Sequence, residues 1–285
     1  MKADCHIHFV LDGINWKAAI DRHKIAPALP FLHQALAKYR EQGYTYLRDG
    51  GDRWGVGAAA RELAPEYGIS YATPLAPLCK KGHYGSFIGE TYENLREYAA
   101  LVEKNRRSGG DFIKIMISGL MDFNRAGVLT EEGLPPGEIA QLIHIAHEEG
   151  FAVMAHCNGS AAIAAAAAAG VDSIEHGAYA NDDALQTMAA QKTVWVPTLS
   201  TVANLRGTGR FDEDAVAAIF ENASQNVKKF AAMGGLLAPG SDAGAWAVPH
   251  GCDTEYSLFH SILGDDALKI LSAGVSAVKE KFHHP

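Results

Sequence analysis

The sequence predicts an α/β fold built on one core, on three observations. The chain has 285 residues, long for an ordinary domain but suited to one large barrel that buries roughly three quarters of its unfolded surface. Short apolar segments alternate with helical patterns from end to end. The unusual polar residues fall at the C-terminal ends of those apolar segments. Eight strands, each followed by a helix, make a (β/α)8 TIM barrel, which gathers its chemistry where the βα loops meet. No linker or shift of composition divides the chain, so residues 1–285 are expected to form a single domain.

The strand segments are ADCHIHFV (3–10), YTYLRDGG (44–51), SYATPLAPL (70–78), FIKIMISG (112–119), AVMAHC (152–157), SIEHG (173–177), VWVPTLS (194–200) and LLAPGSDAG (236–244). Each is a short apolar run bounded by turn residues, as buried parallel strands are. Between them lie helical patterns such as PFLHQALAKYREQG, TYENLREYAALVEKNRRSGG, PGEIAQLIHIAHEEG and DEDAVAAIFENASQNVKKFAAMGG, closed by Gly after a polar or basic last turn. The Ala-rich tract 161–169, ending at Gly170, is a strong helix former. After the eighth strand, TEYSLFHSIL and DDALKILSAGVSAVKEKF can supply the closing helices.

Lys and Arg number 25 and Asp and Glu 33, a formal charge of −8 that argues against a phosphate-backbone partner such as nucleic acid. No apolar run of about 18 residues is present for a membrane span. The four cysteines lack CxxC spacing and no signal peptide precedes them, so free thiols and a cytoplasmic location are expected. Cys5 and Cys157 adjoin histidines and should pack on the opposite strand face as small apolar groups. A small-molecule substrate is the expected partner, and a homo-oligomer is compatible with the sequence.

His6 and His8 end the first strand, Lys114 lies in the fourth, and His156, His176 and Asp242 end the fifth, sixth and eighth. Residues i and i+2 share a strand face, so His6 and His8 can point at one ion. Taken singly, each has a plain structural reading: a core histidine, a snorkelling lysine, an aspartate in a turn or cap. Together on one rim they would leave several costly unpaired groups unless an ion held them. Lys114, flanked by apolar residues in FIKIMI, can be desolvated enough to react as a free amine. Carbon dioxide would convert it to a carbamate, an anionic ligand able to bridge two ions.

On these residues the sequence resembles the amidohydrolase superfamily, in its binuclear form with a carboxylated lysine. GYTYLRDGG, KGHYG, DFIKIMISG, AGVDSIEHG, VPTLST and GSDAG…PHG sharpen the resemblance to the imidazolonepropionase-like and prolidase-like branch, from residue 4 to about 255. The resemblance implies a hydrolase of amide or ester bonds, linear or cyclic. One ion would bind His6, His8 and Asp242, the other His156 and His176, and carbamylated Lys114 would bridge them with a hydroxide. Zinc suits such a His-rich site. Asp242 would take the proton of the attacking water and return it to the leaving group, and His83, by analogy, would face the oxyanion.

Three features depart from the family pattern. The β-sandwich that relatives build from both chain ends has no counterpart in this sequence. Ala155 stands where peptidase-like members often carry tyrosine, and the tail SAVKEKFHHP is atypical. Tyr84 and Arg125 are the candidates for holding a substrate carboxylate, and Arg48 and Asp49 are expected to pair with each other at the rim. His144, His147 and Glu148, without HExxH order, read as an exposed helix face, and His283 and His284 as an exposed terminus. Lactonase, cyclic-amidase or deaminase chemistry at the same site stays open. So do a Schiff-base aldolase using Lys114 and a non-catalytic metal-binding barrel. No GxSxG elbow supports a serine hydrolase.

Overall fold

The computed structural model describes residues 2–283 as a mixed α/β fold whose named strand pairs are all parallel. The strands are β1 (Lys2–Ile7), β2 (Tyr44–Asp49), β3 (Ser70–Ala72), β4 (Leu78–Lys80), β5 (Glu90–Tyr92), β6 (Ile113–Met116), β7 (Val153–Cys157), β8 (Ser173–His176), β9 (Val194–Val196) and β10 (Leu236–Leu237). They form two sheets, β1-β2-β3 and β10-β9-β8-β7-β6-β4-β5. No β-sandwich occurs among the described residues.

The expected third strand is broken, and the break explains why there are two sheets. Pro74 and Pro77 cannot donate to a ladder, and Leu75 turns through φ 61°. The piece before the turn, β3, pairs with β2, and the piece after it, β4, pairs with β6. Where β3 ends, Asp111 N–H donates to the Thr73 carbonyl at 3.0 Å and Thr73 N–H to the Asp111 carboxylate at 2.8 Å. At the other seam, the segment after β10 bonds to β1. Cys5 N–H donates to Pro239 O (2.8 Å), Asp242 N–H to His6 O (2.7 Å) and His8 N–H to Ala243 O (2.7 Å). Only Leu236 and Leu237 of the expected 236–244 segment are regular strand. The remainder is a loop held by these bonds.

Helices cover the outer faces. Asn15, Asn94, Asn181 and Asp212 accept from backbone N–H groups in the first turns of Trp16–His23, Leu95–Arg107, Asp182–Ala190 and Glu213–Ala232, a stabilisation of about 1 kcal/mol each. The Ala-rich tract forms the helix Ser160–Ala168, followed by Gly170 at φ 83°. Leu142, Phe151, Trp195 and Phe230 pack in the layer between strands and helices. A separate inner cluster joins both sheets, from Ala3, Tyr46 and Ala72 to Met154 and Val194, together with Val278 and Phe282 of the C-terminal segment. The tail therefore packs inward as far as Phe282, which is 2 % exposed. His283 is exposed, while His284 lies outside the described residues.

All four cysteines are free; Cys5 and Cys157 are fully buried. His147 is exposed, as expected, and its Nε2 sits 2.9 Å from Asp172, which also binds Lys281. His144 is exposed. No helix among the described residues is long and apolar enough to cross a membrane.

Candidate metal centre and its cavity

His6 and His8 reach one point because they sit two apart along the extended chain, His6 on β1 and His8 just after its end. There they meet Asp242, delivered by the loop bonded to β1. Their free ligand atoms form a small triangle: His6 Nε2 to His8 Nε2 is 3.3 Å, His6 Nε2 to Asp242 Oδ1 3.4 Å, and His8 Nε2 to Asp242 Oδ1 3.5 Å. Ligand atoms around a tetrahedral ion with bonds of about 2.0–2.2 Å stand roughly 3.3–3.6 Å apart. The triangle thus has the dimensions of one face of such a shell. Asp242 Oδ1, His8 Nδ1 and Lys114 Nζ are buried with no hydrogen-bond partner, where a folded protein normally leaves none.

Electrostatics favours the four imidazoles as ligands. Burial, reinforced by the Lys114 charge, holds His8 and His156 down at about 3 and His6 and His176 well below the usual imidazole range. Neutral imidazoles are the form that binds metal. Burial also lifts Asp242 to about 8, although Lys114 opposes this, and drops Lys114 to about 8. Keeping that amine buried and charged would cost about 3 kcal/mol, so it is poised to lose its proton or be modified.

The rings are oriented by their second nitrogens. His6 Nδ1 lies 2.7 Å from Glu175 Oε2, His176 Nδ1 2.7 Å from Thr198 Oγ1, and His156 Nε2 3.1 Å from Gly119 O. That leaves Nε2 of His6 and His176 and Nδ1 of His156 to bind an ion. The His156 and His176 ring centres are 4.5 Å apart and those of His6 and His176 5.0 Å. Backbone strain accompanies the cluster: His176, Thr198 and Asp242 adopt φ of 65°, 50° and 58°, positions that cost about 1–3 kcal/mol each and concentrate at functional sites. At His176 the left-handed turn ends strand alternation, so both Glu175 and His176 face the interior.

Gly50 leaves room for His8. A Cβ there would overlap the imidazole, lying 2.8 Å from Nδ1. Gly50→Ala is expected to weaken zinc binding about 10-fold or more, as displaced ligand shells do, in competition titration against a chelating dye. Unchanged affinity would remove Gly50 from the site.

His8, Lys114, His156, His176 and Asp242 line a cavity of about 590 Å3 whose walls include Trp16, Phe87, Phe123, Phe211 and Trp246, while His6 is fully buried behind them. Tyr84 lines it, with its ring 4.8 Å from that of His156. His83 does not; its Nδ1 binds Glu131, and the Tyr84 N–H donates to the same carboxylate at 2.9 Å. Arg125 also lies off the cavity, exposed and bound to Asp122 at 2.7 Å. Arg210 takes the place expected of it. Its guanidinium sits 4.1 Å above the Trp246 ring on the cavity wall, with no carboxylate in ion-pair range among the described residues.

The expected Arg48–Asp49 pair is absent. Arg48 points inward to Glu175 (2.8 Å), while Asp49 accepts from Phe9 N–H (3.2 Å) and Thr73 Oγ1 (3.3 Å). Glu175, Ser173, Thr198 and Arg210 escape sequence reasoning. The one signal available was a charge within each apolar strand, at Arg48 and Glu175, which burial obliges to find a partner.

No family model matches the chain. Over 233 residues it is 25 % identical to an ochratoxinase of Aspergillus niger, covering 70 % of this chain and 47 % of that one. An uncharacterized protein of Mycobacterium bovis is 27 % identical over 203 residues, covering 69 % and 51 %. The chain thus spans about half the length of the curated relatives it matches. Among solved structures, A. niger ochratoxinase superposes with a TM-score of 0.80 at 20 % identity, over 99 % of this chain and 71 % of that one. A Xaa-Pro dipeptidase with bound methionine gives 0.76 at 23 % identity, over 98 % and 74 %. The fold is the one these proteins share.

Proposed function

We propose that this chain, whose relatives and structural neighbours are consistent with the amidohydrolase superfamily, is a metal-dependent hydrolase of amide or ester bonds. In this reading the two parallel sheets act as one closed (β/α)8 barrel. Two divalent ions, zinc expected, and a carbamate on Lys114 complete the centre. One observation carries it: the 3.3–3.5 Å triangle of His6, His8 and Asp242, which reaches the wall of a largely apolar cavity through His8 and Asp242, beside an orphaned Lys114.

Bound divalent ions would supply an ionised water at neutral pH and polarise the scissile carbonyl. The chain's own residues do the rest. Asp242 Oδ1 stands at the triangle with no hydrogen-bond partner, placed to take the proton of the attacking water and pass it to the leaving nitrogen or oxygen. Tyr84, its hydroxyl kept protonated by burial, walls the cavity beside His156 as a donor. The aromatic walls bury an apolar acyl or side-chain group, and Arg210 at the mouth pairs with a carboxylate. An N-acyl amino acid or apolar dipeptide satisfies all three requirements.

Metal analysis of freshly purified protein, followed by a panel of N-acyl amino acids, dipeptides and lactones, tests the reading. Bound divalent metal with metal-dependent turnover of amides is expected; full metal occupancy without turnover of any substrate would leave only a binding protein. Arg210→Met is expected to raise KM for carboxylate-bearing substrates about 10-fold with kcat nearly unchanged, since the charge grips substrate and transition state alike. An equal effect on uncharged amides or lactones would exclude this role.

A further inference from the structure

Beneath the ligand triangle lies a fully buried charged cluster. Arg48 and Glu175 are both 0 % exposed. Glu175 accepts from His6 Nδ1 (2.7 Å) through Oε2, and from Arg48 (2.8 Å) and the Ser173 hydroxyl (2.5 Å) through Oε1. Arg48 also donates to Ser173 Oγ (2.9 Å) and Cys5 O (2.7 Å). Its guanidinium plane is covered by the Phe282 ring at 4.3 Å, itself edge-on to Phe112 at 5.3 Å. Burying such a pair costs several kcal/mol per ion, and an apolar pair of similar volume would often be no less stable. Stability therefore gives a poor account of its presence; the bond to His6 gives a better one. The bond to Glu175 Oε2 keeps the proton of His6 on Nδ1 and leaves Nε2 as the free atom at the triangle.

We propose that Glu175, locked by Arg48 and Ser173 and sealed by Phe282, is the positioning residue that fixes His6 as an Nε2 metal ligand. Affinity at the triangle is thereby set in part by the C-terminal segment, which packs in the interior layer among Ala3, Tyr46 and Val194. The inference rests on the metal-centre reading above. Phe282 shields the ion pair from water; without the ring, water screens Arg48 and Glu175, and the hold on the tautomer weakens.

Zinc dissociation constants by chelator competition, the visible spectrum of the cobalt(II)-loaded protein and the melting temperature of the metal-free protein test this together. Glu175→Gln is expected to weaken binding of one ion 10- to 100-fold and shift the cobalt bands, while Ser173→Ala and Phe282→Leu weaken it several-fold. The two milder variants keep the test open should Glu175→Gln fail to fold. Variants that lower the metal-free melting temperature but leave the zinc constant within twofold and the cobalt bands unmoved would reduce the cluster to a structural ion pair and overturn the proposal. A wild-type protein that binds no zinc or cobalt would instead overturn the metal-centre reading, and this inference with it.

Discussion

Asp242→Asn is expected to lower kcat about 1,000-fold, within the range of a lost general acid–base, while the protein stays folded and keeps most of its metal. Asparagine preserves the shape and a carbonyl oxygen for the triangle, where Asp242 Oδ1 stands 3.4 Å and 3.5 Å from the two imidazoles. It cannot take up and return a proton. Its side chain should also accept the left-handed backbone at φ 58°, because asparagine tolerates that region. Measuring kcat alongside metal content by emission spectroscopy separates the roles. Full activity at full metal content would remove Asp242 from the proton path. Equal loss of both would make it a ligand alone.

Lys114→Ala should act on metal content first, cutting bound divalent ions from two towards one or none and lowering turnover at least as much as the aspartate change. The reason lies in position: Lys114 is 1 % exposed, its Nζ has no partner, and its charge depresses His6, His8, His156 and His176 together. Removing only a cation from among imidazoles would raise metal affinity. A fall in metal content is therefore the signature of a lysine that acts as an anion. Formate or acetate at high concentration should restore part of the activity of Lys114→Ala by occupying the vacated space.

The pH dependence follows from the same amine. Burial lowers Lys114 to about 8, so roughly a tenth is free base at pH 7, against well under a thousandth for an ordinary lysine. At fixed dissolved carbon dioxide, carbamate loading of metal-free protein should rise as pH climbs from 7 through 8, followed by carbon-13 NMR with labelled bicarbonate. Loading that stays absent at pH 8.5, with zinc content unaffected by Lys114→Ala, would rule out the carbamate.

The strand-end residues were legible because each is announced locally. His6, His8, Lys114, His156 and His176 are polar groups inside short apolar runs, and strand alternation alone places His6 and His8 on one face. The helices were equally legible, since capping asparagines and terminal glycines act within a turn of their own position. Less visible was the break at Pro74–Pro77, which the apolar pattern of SYATPLAPL masks although both prolines are in view. Arg125 and His83 were attractive as loop residues of the right chemical type. In the folded chain, neighbouring Asp122 and Glu131 occupy them.

The sequence by itself marked which side chains are candidates for a metal centre, as polar groups within or just after short apolar runs, because periodicity and apolar patterning are properties of short stretches. Tertiary structure alone decided which nitrogen each imidazole offers, that Arg48 turns from its neighbour to a glutamate 127 residues away, and that Arg210 faces the cavity. Those outcomes depend on strand register and on single backbone dihedrals, such as the φ of 65° at His176. Both are fixed by packing between segments far apart in the chain.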